Sequence, residues 1–243
     1  MKLQSRITRY SSFILVLLCL IYGCSHKDIT KPIVIDHSSA ANNINIHALV
    51  QDSQKVFQSD KKIILTWWMP EEFWNATFSQ KPHISKIKTE KILKALESYT
   101  IIAVLEAEID RYGNVKYKTE NQISDNIKLV INKKKPCYPL HKNDITSETK
   151  AILLTIKPFF VQMLGATGYN MHFIIFPKKN DKFGKKRICA RGKGEFTAII
   201  GKNSFRWKLP LNSVCLPQIC SKCREKCSGS WIYCPWCKAK LLK

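Results

Sequence analysis

Apolar residues along this chain fall into short runs separated by polar, glycine- and proline-marked breaks, and the period within each run predicts an element. The first run, Phe13–Tyr22, follows Lys2, Arg6 and Arg9 and spans about 10 residues, half of the ~20 needed to cross a hydrocarbon core. Residues 25–48 are polar and lack steady periodicity, as a tether does. Lys62–Trp68 reads as a strand, and Pro70 with Glu71 and Glu72 reads as a helix start, with acids near the positive end of the helix dipole. Ile87, Lys91, Ile92, Ala95 and Leu96 share one helical face over 86–98. Thr100–Asp110 suits a half-buried strand, and the turn signal Tyr112-Gly113-Asn114 returns it through Val115–Thr119.

Farther along, Ile127–Asn132 predicts a strand, followed by a Lys-Lys-Lys-Pro-Cys-Tyr-Pro loop at 133–139. Residues 147–164 predict helix, capped by Thr146 or Ser147 and stopped at Gly165; Pro158 inside it predicts a kink or two short helices. Asn170–Phe176, Glu195–Ile200 and Ser204–Leu209 predict strands, the last two joined as a hairpin by Gly201-Lys202-Asn203. Strands outnumber helices and the links are short. The expected class is therefore α+β: a β-rich, antiparallel, sandwich-like domain with a few helices, plus a small C-terminal zinc ribbon. The expected divisions are 1–23, 24–58 (tether), 59–213 (β-rich domain) and 214–243 (ribbon-like module).

The N-terminal run ends Leu20-Ile21-Tyr22-Gly23-Cys24. A basic start, a short apolar run and a Gly-Cys ending resemble the signal and lipobox of bacterial lipoproteins. That resemblance implies cleavage before Cys24, with lipid attached to its thiol and its new amine. Each buried CH₂ contributes ~0.8 kcal/mol, so two or more chains anchor stably. Ser25 implies the outer membrane under the sorting rule of such lipoproteins. The expected address is the cell envelope. The competing reading is an ordinary signal peptide, or an uncleaved anchor, with Cys24 incidental.

At the other end, Cys220-x₂-Cys223 and Cys234-x₂-Cys237 are separated by ten residues. Two residues between thiols let one tight turn aim both sulfurs at one ion, and two turns supply a tetrahedral sulfur set suited to Zn²⁺. So short a segment buries little apolar surface, and metal binding can supply the missing free energy. The tail from Tyr233 to Leu241 is similar to the YCPxCGxKL ending of short bacterial zinc ribbons, over about a tenth of the chain. Where that family has glycine after each pair, a position that favours positive φ, this chain has Arg224 and Lys238. A fifth cysteine, Cys227, lies between the pairs. Two other readings compete: disulfides, in an oxidising envelope, and a redox Cys234-Pro-Trp-Cys237, which lacks the α/β setting such motifs use. Cys137, Cys189, Cys215 and Cys227 allow two further bridges, for example Cys137 with Cys189.

Composition adds charge to this picture. The chain has 40 Lys plus Arg against 18 Asp plus Glu, a net +22. Removing residues 1–23, which hold Lys2, Arg6, Arg9 and no acid, lowers it by three to +19. Such a surface attracts nucleic acid, acidic lipid or anionic envelope polymers, although an excess spread along the whole chain also fits compositional drift. The densest cluster is Lys178, Lys179, Lys182, Lys185, Lys186, Arg187, Arg191 and Lys193. It reads either as an anion grip or as a solvated hairpin tip. Trp67, Trp68, Phe73 and Trp74 read as core anchors or as a stacking platform. Cys137 and His141 lack an orienting partner, His172 reads as structural, and Glu106 with Glu108 read as a solvated strand face. No Gly-rich phosphate loop, G-x-S-x-G or H-E-x-x-H occurs.

The middle region resembles uncharacterised exported bacterial proteins that end in a similar ribbon. Its carriers are Trp67-Trp68-x-Pro-Glu-Glu-Phe-Trp74, Lys157-Pro-Phe-Phe160 and Leu164-Gly-Ala-Thr-Gly-Tyr-Asn-Met-His-Phe173. The expected function is a non-enzymatic envelope lipoprotein that meets envelope proteins or anionic polymers. The alternative is a nucleic-acid- or polyanion-binding protein.

Overall fold

The computed structural model describes residues 44–79, 85–178 and 188–241. Cys24 and the segment before residue 44 lie outside these, as do Lys179, Lys182, Lys185, Lys186 and Arg187 of the basic cluster. The described fold is α+β, with antiparallel sheets and a separate C-terminal cysteine cluster.

Two elements stand where the sequence suggested only a tether running to residue 58. Helix α1 (Ile46–Ser53) is capped by the Asn45 side chain, which accepts from the Ala48 N–H, and it runs directly into strand β1 (Gln54–Ser59). Leu49 and Ser53 of α1 are fully buried. The helix was not legible because only Ala48, Leu49 and Val50 join Ile44 and Ile46 as aliphatic residues, too few to set a period.

The first sheet centres on β2 (Lys62–Met69) and β3 (Tyr99–Ile109). Strand β1 pairs with β2, and β2 pairs with β3 from Lys62↔Glu108 to Met69↔Ile101. Being long, β3 carries two partners along its other edge: β6 (His172–Pro177) over Tyr99–Val104, then β4 (Val115–Tyr117) over Ala107–Ile109. The second sheet has the order β5 (Ile127–Ile131), β7 (Gly194–Ile200), β8 (Asn203–Leu209).

Burial in β2 and β3 is nearly continuous rather than alternating, which means that both faces of the first sheet are covered. Successive strand residues point to opposite faces, so Trp67 and Trp68 part company. Trp67 meets Phe73 of α2 (Glu71–Ser79) and Phe160 of α5 (Ser147–Leu164), with ring centroids at 5.0 and 5.6 Å. Trp68 meets Phe196 of the second sheet at 4.8 Å. Helices thus cover one face and the second sheet covers the other. In that second sheet, Phe196, Ala198, Ile200, Phe205 and Trp207 are buried between more exposed neighbours, as in a sheet with one wet face. Ser53 ties the layers together: its hydroxyl accepts from Trp67 Nε1 (3.1 Å) and its carbonyl accepts from Trp207 Nε1 (2.9 Å).

The helices depart from expectation in small ways. In α3 (Lys86–Glu97), Ile92, Leu93 and Leu96 pack inward, whereas Ile87 is exposed. A short α4 (Glu120–Ser124) follows β4, closed by a reciprocal capping box between Thr119 and Gln122, with Ile123 buried beneath it. Helix α5 is one helix of 18 residues despite Pro158. With the turn that follows it, α5 is long and apolar enough to cross a membrane by length and composition, yet Leu153 and Phe160 are buried in the core.

Candidate metal centre

Residues 218–241 fold as two copies of one small unit, offset by fourteen residues. In the first, Arg224 N donates to Cys220 O and Cys220 N donates to Glu225 O, both at 2.9 Å. In the second, Lys238 N donates to Cys234 O (2.9 Å) and Cys234 N donates to Ala239 O (2.8 Å). The backbone turns left-handed just after each pair, with φ 62° at Arg224 and 59° at Lys238. These are the two positions where the ribbon family has glycine. The strand pairing repeats as well. Ile219 pairs with Lys226 through β9 (Gln218–Ile219) and β10 (Lys226–Cys227), and Tyr233 forms the equivalent bridge with Lys240.

Each turn presents its two thiols to the same point. The four Sγ atoms of Cys220, Cys223, Cys234 and Cys237 lie within 4.8 Å of one another. Between the units, Cys220 Sγ sits 3.5 Å from Cys237 Sγ, and Cys223 Sγ sits 3.5 Å from Cys234 Sγ. A zinc ion with four sulfurs at ~2.3 Å places them about 3.8 Å apart. A disulfide needs ~2.05 Å. The set is therefore close enough to hold one metal ion such as zinc, and too open for bridges. The first cysteine of each pair is buried and the second reaches the rim.

Local dipoles favour thiolate here. The backbone N–H of Cys223, then that of Lys222, points at Cys220 sulfur and holds its pKa down. Burial pushes Cys234 up, but the N–H groups of Cys237 and Trp236 outweigh it and bring it to about 6. Cys223 accepts from the N–H of Glu225, yet burial and the neighbouring thiols carry it to about 12. A metal ion would ionise all four, since a coordinating thiol loses its proton.

Cys227 is not a fifth ligand in this arrangement. Counted from the first cysteine of its unit, it occupies the place that Leu241 holds in the other unit, and both are buried. Its thiol donates to Glu225 O (3.6 Å), and burial raises its pKa to about 11. It serves as a small apolar core residue. The Ser228-Gly229-Ser230 link then seats the module on the chain before it. Both serines bond Asn212 Oδ1, and Gly229 lies so close that a Cβ there would meet Leu216 O at 1.9 Å.

No family model, curated protein or solved structure matches this chain.

The other sequence candidates resolve differently. Trp67, Trp68, Phe73 and Trp74 are core anchors, with no exposed stacking face. Glu106 is not solvated: it is buried and paired with Lys62 at 2.6 Å, whereas Glu108 is half exposed and paired with Lys118 at 2.8 Å. The hydrogen bond and charge of Lys118 hold Glu108 below the usual carboxylate range. His172 is half-buried, and burial then Lys157 depress its pKa. Cys137 is a buried free thiol whose backbone bridges to Leu129, and Cys189 is a second free thiol, so the suggested Cys137–Cys189 staple is not formed. His141 is exposed. Of the basic cluster, Lys178 and Arg191 contact Glu71 and Glu72 at 3.4 and 4.0 Å, and Arg191 also donates to Val214 O; Lys193 is exposed. Two of the three cluster cations among the described residues thus help hold α2 in place.

Sequence reasoning missed the exposed side chains at the second unit: Trp231 just before it, and Ile232, Tyr233 and Trp236 within it. A signal was present. Aligning the two cysteine pairs shows polar residues in one unit where the other has apolar ones.

Proposed function

We propose that this protein is a non-enzymatic cell-envelope lipoprotein, anchored through Cys24 at the outer membrane, that presents a basic α+β domain and a structural zinc ribbon as an interaction module. The observation that carries this reading is the convergence of four thiols from two matching turns. A tetrahedral all-sulfur set selects zinc over harder cations, and a closed four-ligand site leaves no open position for catalysis. The ribbon's own buried apolar set is Cys220, Cys227, Cys234 and Leu241, too small to order 24 residues unaided. Metal binding, worth ~10–16 kcal/mol in small zinc peptides, closes that gap. The Gly23-Cys24 ending after a short apolar run supports the address.

Growing cells with labelled palmitate tests the anchor. Label should enter the protein and vanish in Cys24→Ala. A Cys24→Ala chain that still takes up label, or an unlabelled parent, would refute it.

A second reading is polyanion binding, favoured by Lys222, Arg224, Lys226, Lys238 and Lys240 against the lone acid Glu225 in the ribbon. It expects nucleic-acid affinity that falls steeply with added salt.

A further inference from the structure

The two ribbon units form an internal control. Their backbones, turns and ligand positions match, so whatever metal binding requires is present in both. Their outer surfaces do not match. Gln218, Ser221 and Lys222 of the first unit correspond to Ile232, Pro235 and Trp236 of the second, and Ile219 corresponds to Tyr233. Trp231, which precedes the second unit, packs on Trp236 with ring centroids 6.0 Å apart. The face that this pair forms is open to solvent, with Trp231 38% and Trp236 58% exposed, and Ile232 (55%), Tyr233 (61%), Ile219 and Leu216 (61% each) are further exposed apolar side chains of the same module and its approach. The first unit folds the same way with polar side chains at most of these positions. The apolar set is therefore not required by the metal site, and exposing it works against solubility.

We propose that this face seats in an anionic lipid surface. The inference rests on the envelope address above and names the partner of its ribbon. Three features choose the occupant. Tryptophan and tyrosine favour the membrane interface, where an apolar ring and a polar edge are both satisfied. Lys238 and Lys240 of the same unit, with Lys222, Arg224 and Lys226 of the other, supply charge complementary to acidic head groups. Ile219, Ile232 and Leu216 are aliphatic: they gain by entering acyl chains and offer no ring on which a base could stack. The last feature separates a lipid surface from single-stranded nucleic acid.

The test uses the zinc-loaded full chain carrying Cys24→Ser, so its outcome does not depend on lipidation, which palmitate labelling reports separately. The chain holds six tryptophans, and Trp67, Trp68, Trp74 and Trp207 are buried in the domain core. Quenching by brominated lipid therefore reads Trp231 and Trp236. Vesicles of phosphatidylcholine with phosphatidylglycerol should quench and blue-shift the emission. Pure phosphatidylcholine should do so far less, and in vesicle co-sedimentation W231S/W236S, with its zinc content unchanged, should lose binding by on the order of tenfold. The proposal is overturned by absent quenching, by co-sedimentation that survives in the double variant, or by equal quenching in neutral vesicles. Quenching by single-stranded oligonucleotide but not by vesicles would equally overturn it, in favour of base stacking.

Discussion

The domain and the ribbon are held together by different physics. The domain buries three dozen hydrophobic residues in one cluster, with Trp67, Trp207, Phe160, Phe176 and Phe196 among its largest fully enclosed side chains. The ribbon buries Cys220, Cys227, Cys234 and Leu241, and two of those four are ligand positions. The first is stabilised by area removed from water, roughly 25 cal/mol per Å². The second has almost no such area, and its four thiols lie close enough together to hold an ion that would supply the missing stability. One chain thus carries two modules whose stabilities should respond to different perturbations.

The largest expected effect follows from removing the ion. Chelation, or Cys220→Ala, should withdraw a binding term of ~10–16 kcal/mol and collapse protection across 218–241, while β2, β3 and β7 stay protected. Hydrogen exchange read by mass spectrometry checks this, and concerted loss in both modules would break the comparison. The converse perturbation is Trp67→Ala. It empties the contact with Phe73 and Phe160 and should lower domain stability by ~3–5 kcal/mol without changing metal content. Denaturant unfolding alongside metal analysis reads both. Smaller is Ser53→Ala, which strands the buried Trp67 N–H at a cost of about 1–3 kcal/mol while leaving the Trp207 bond to the Ser53 carbonyl. Urea midpoints should fall with an unchanged slope. Smallest is Cys227→Ala, expected within about 1 kcal/mol and with full metal stoichiometry, because Cys227 mirrors Leu241 rather than a ligand. Metal loss in that variant would make Cys227 part of the centre.

The same contrast explains what could be read from the sequence. The ribbon was legible because its chemistry is written as spacing: two pairs of cysteines can be recognised without knowing what surrounds them. Even its left-handed positions, Arg224 and Lys238, were locatable, because the ribbon family that the tail resembles has glycine there. The strands Lys62–Trp68 and Thr100–Asp110 were legible as apolar runs, but their continuous burial hid which face each residue took. Only the packing shows that adjacent tryptophans serve opposite layers. Helix α1 and strand β1 were missed because their role depends on distant partners, Trp67 and Trp207, that no local pattern announces. Helix α4 carried a readable signal in Thr119-x-x-Gln122 that its short length concealed. Glu106 looked solvated by its alternation with Glu108, and is buried because Lys62 on the neighbouring strand neutralises it.

The central claim is that four thiols share one zinc ion, and zinc K-edge absorption on the purified chain addresses it directly. The account predicts one zinc per chain with a shell of four sulfurs at ~2.3 Å and no nitrogen or oxygen neighbour. A chain without zinc, its four C-terminal cysteines joined as disulfides, would contradict it.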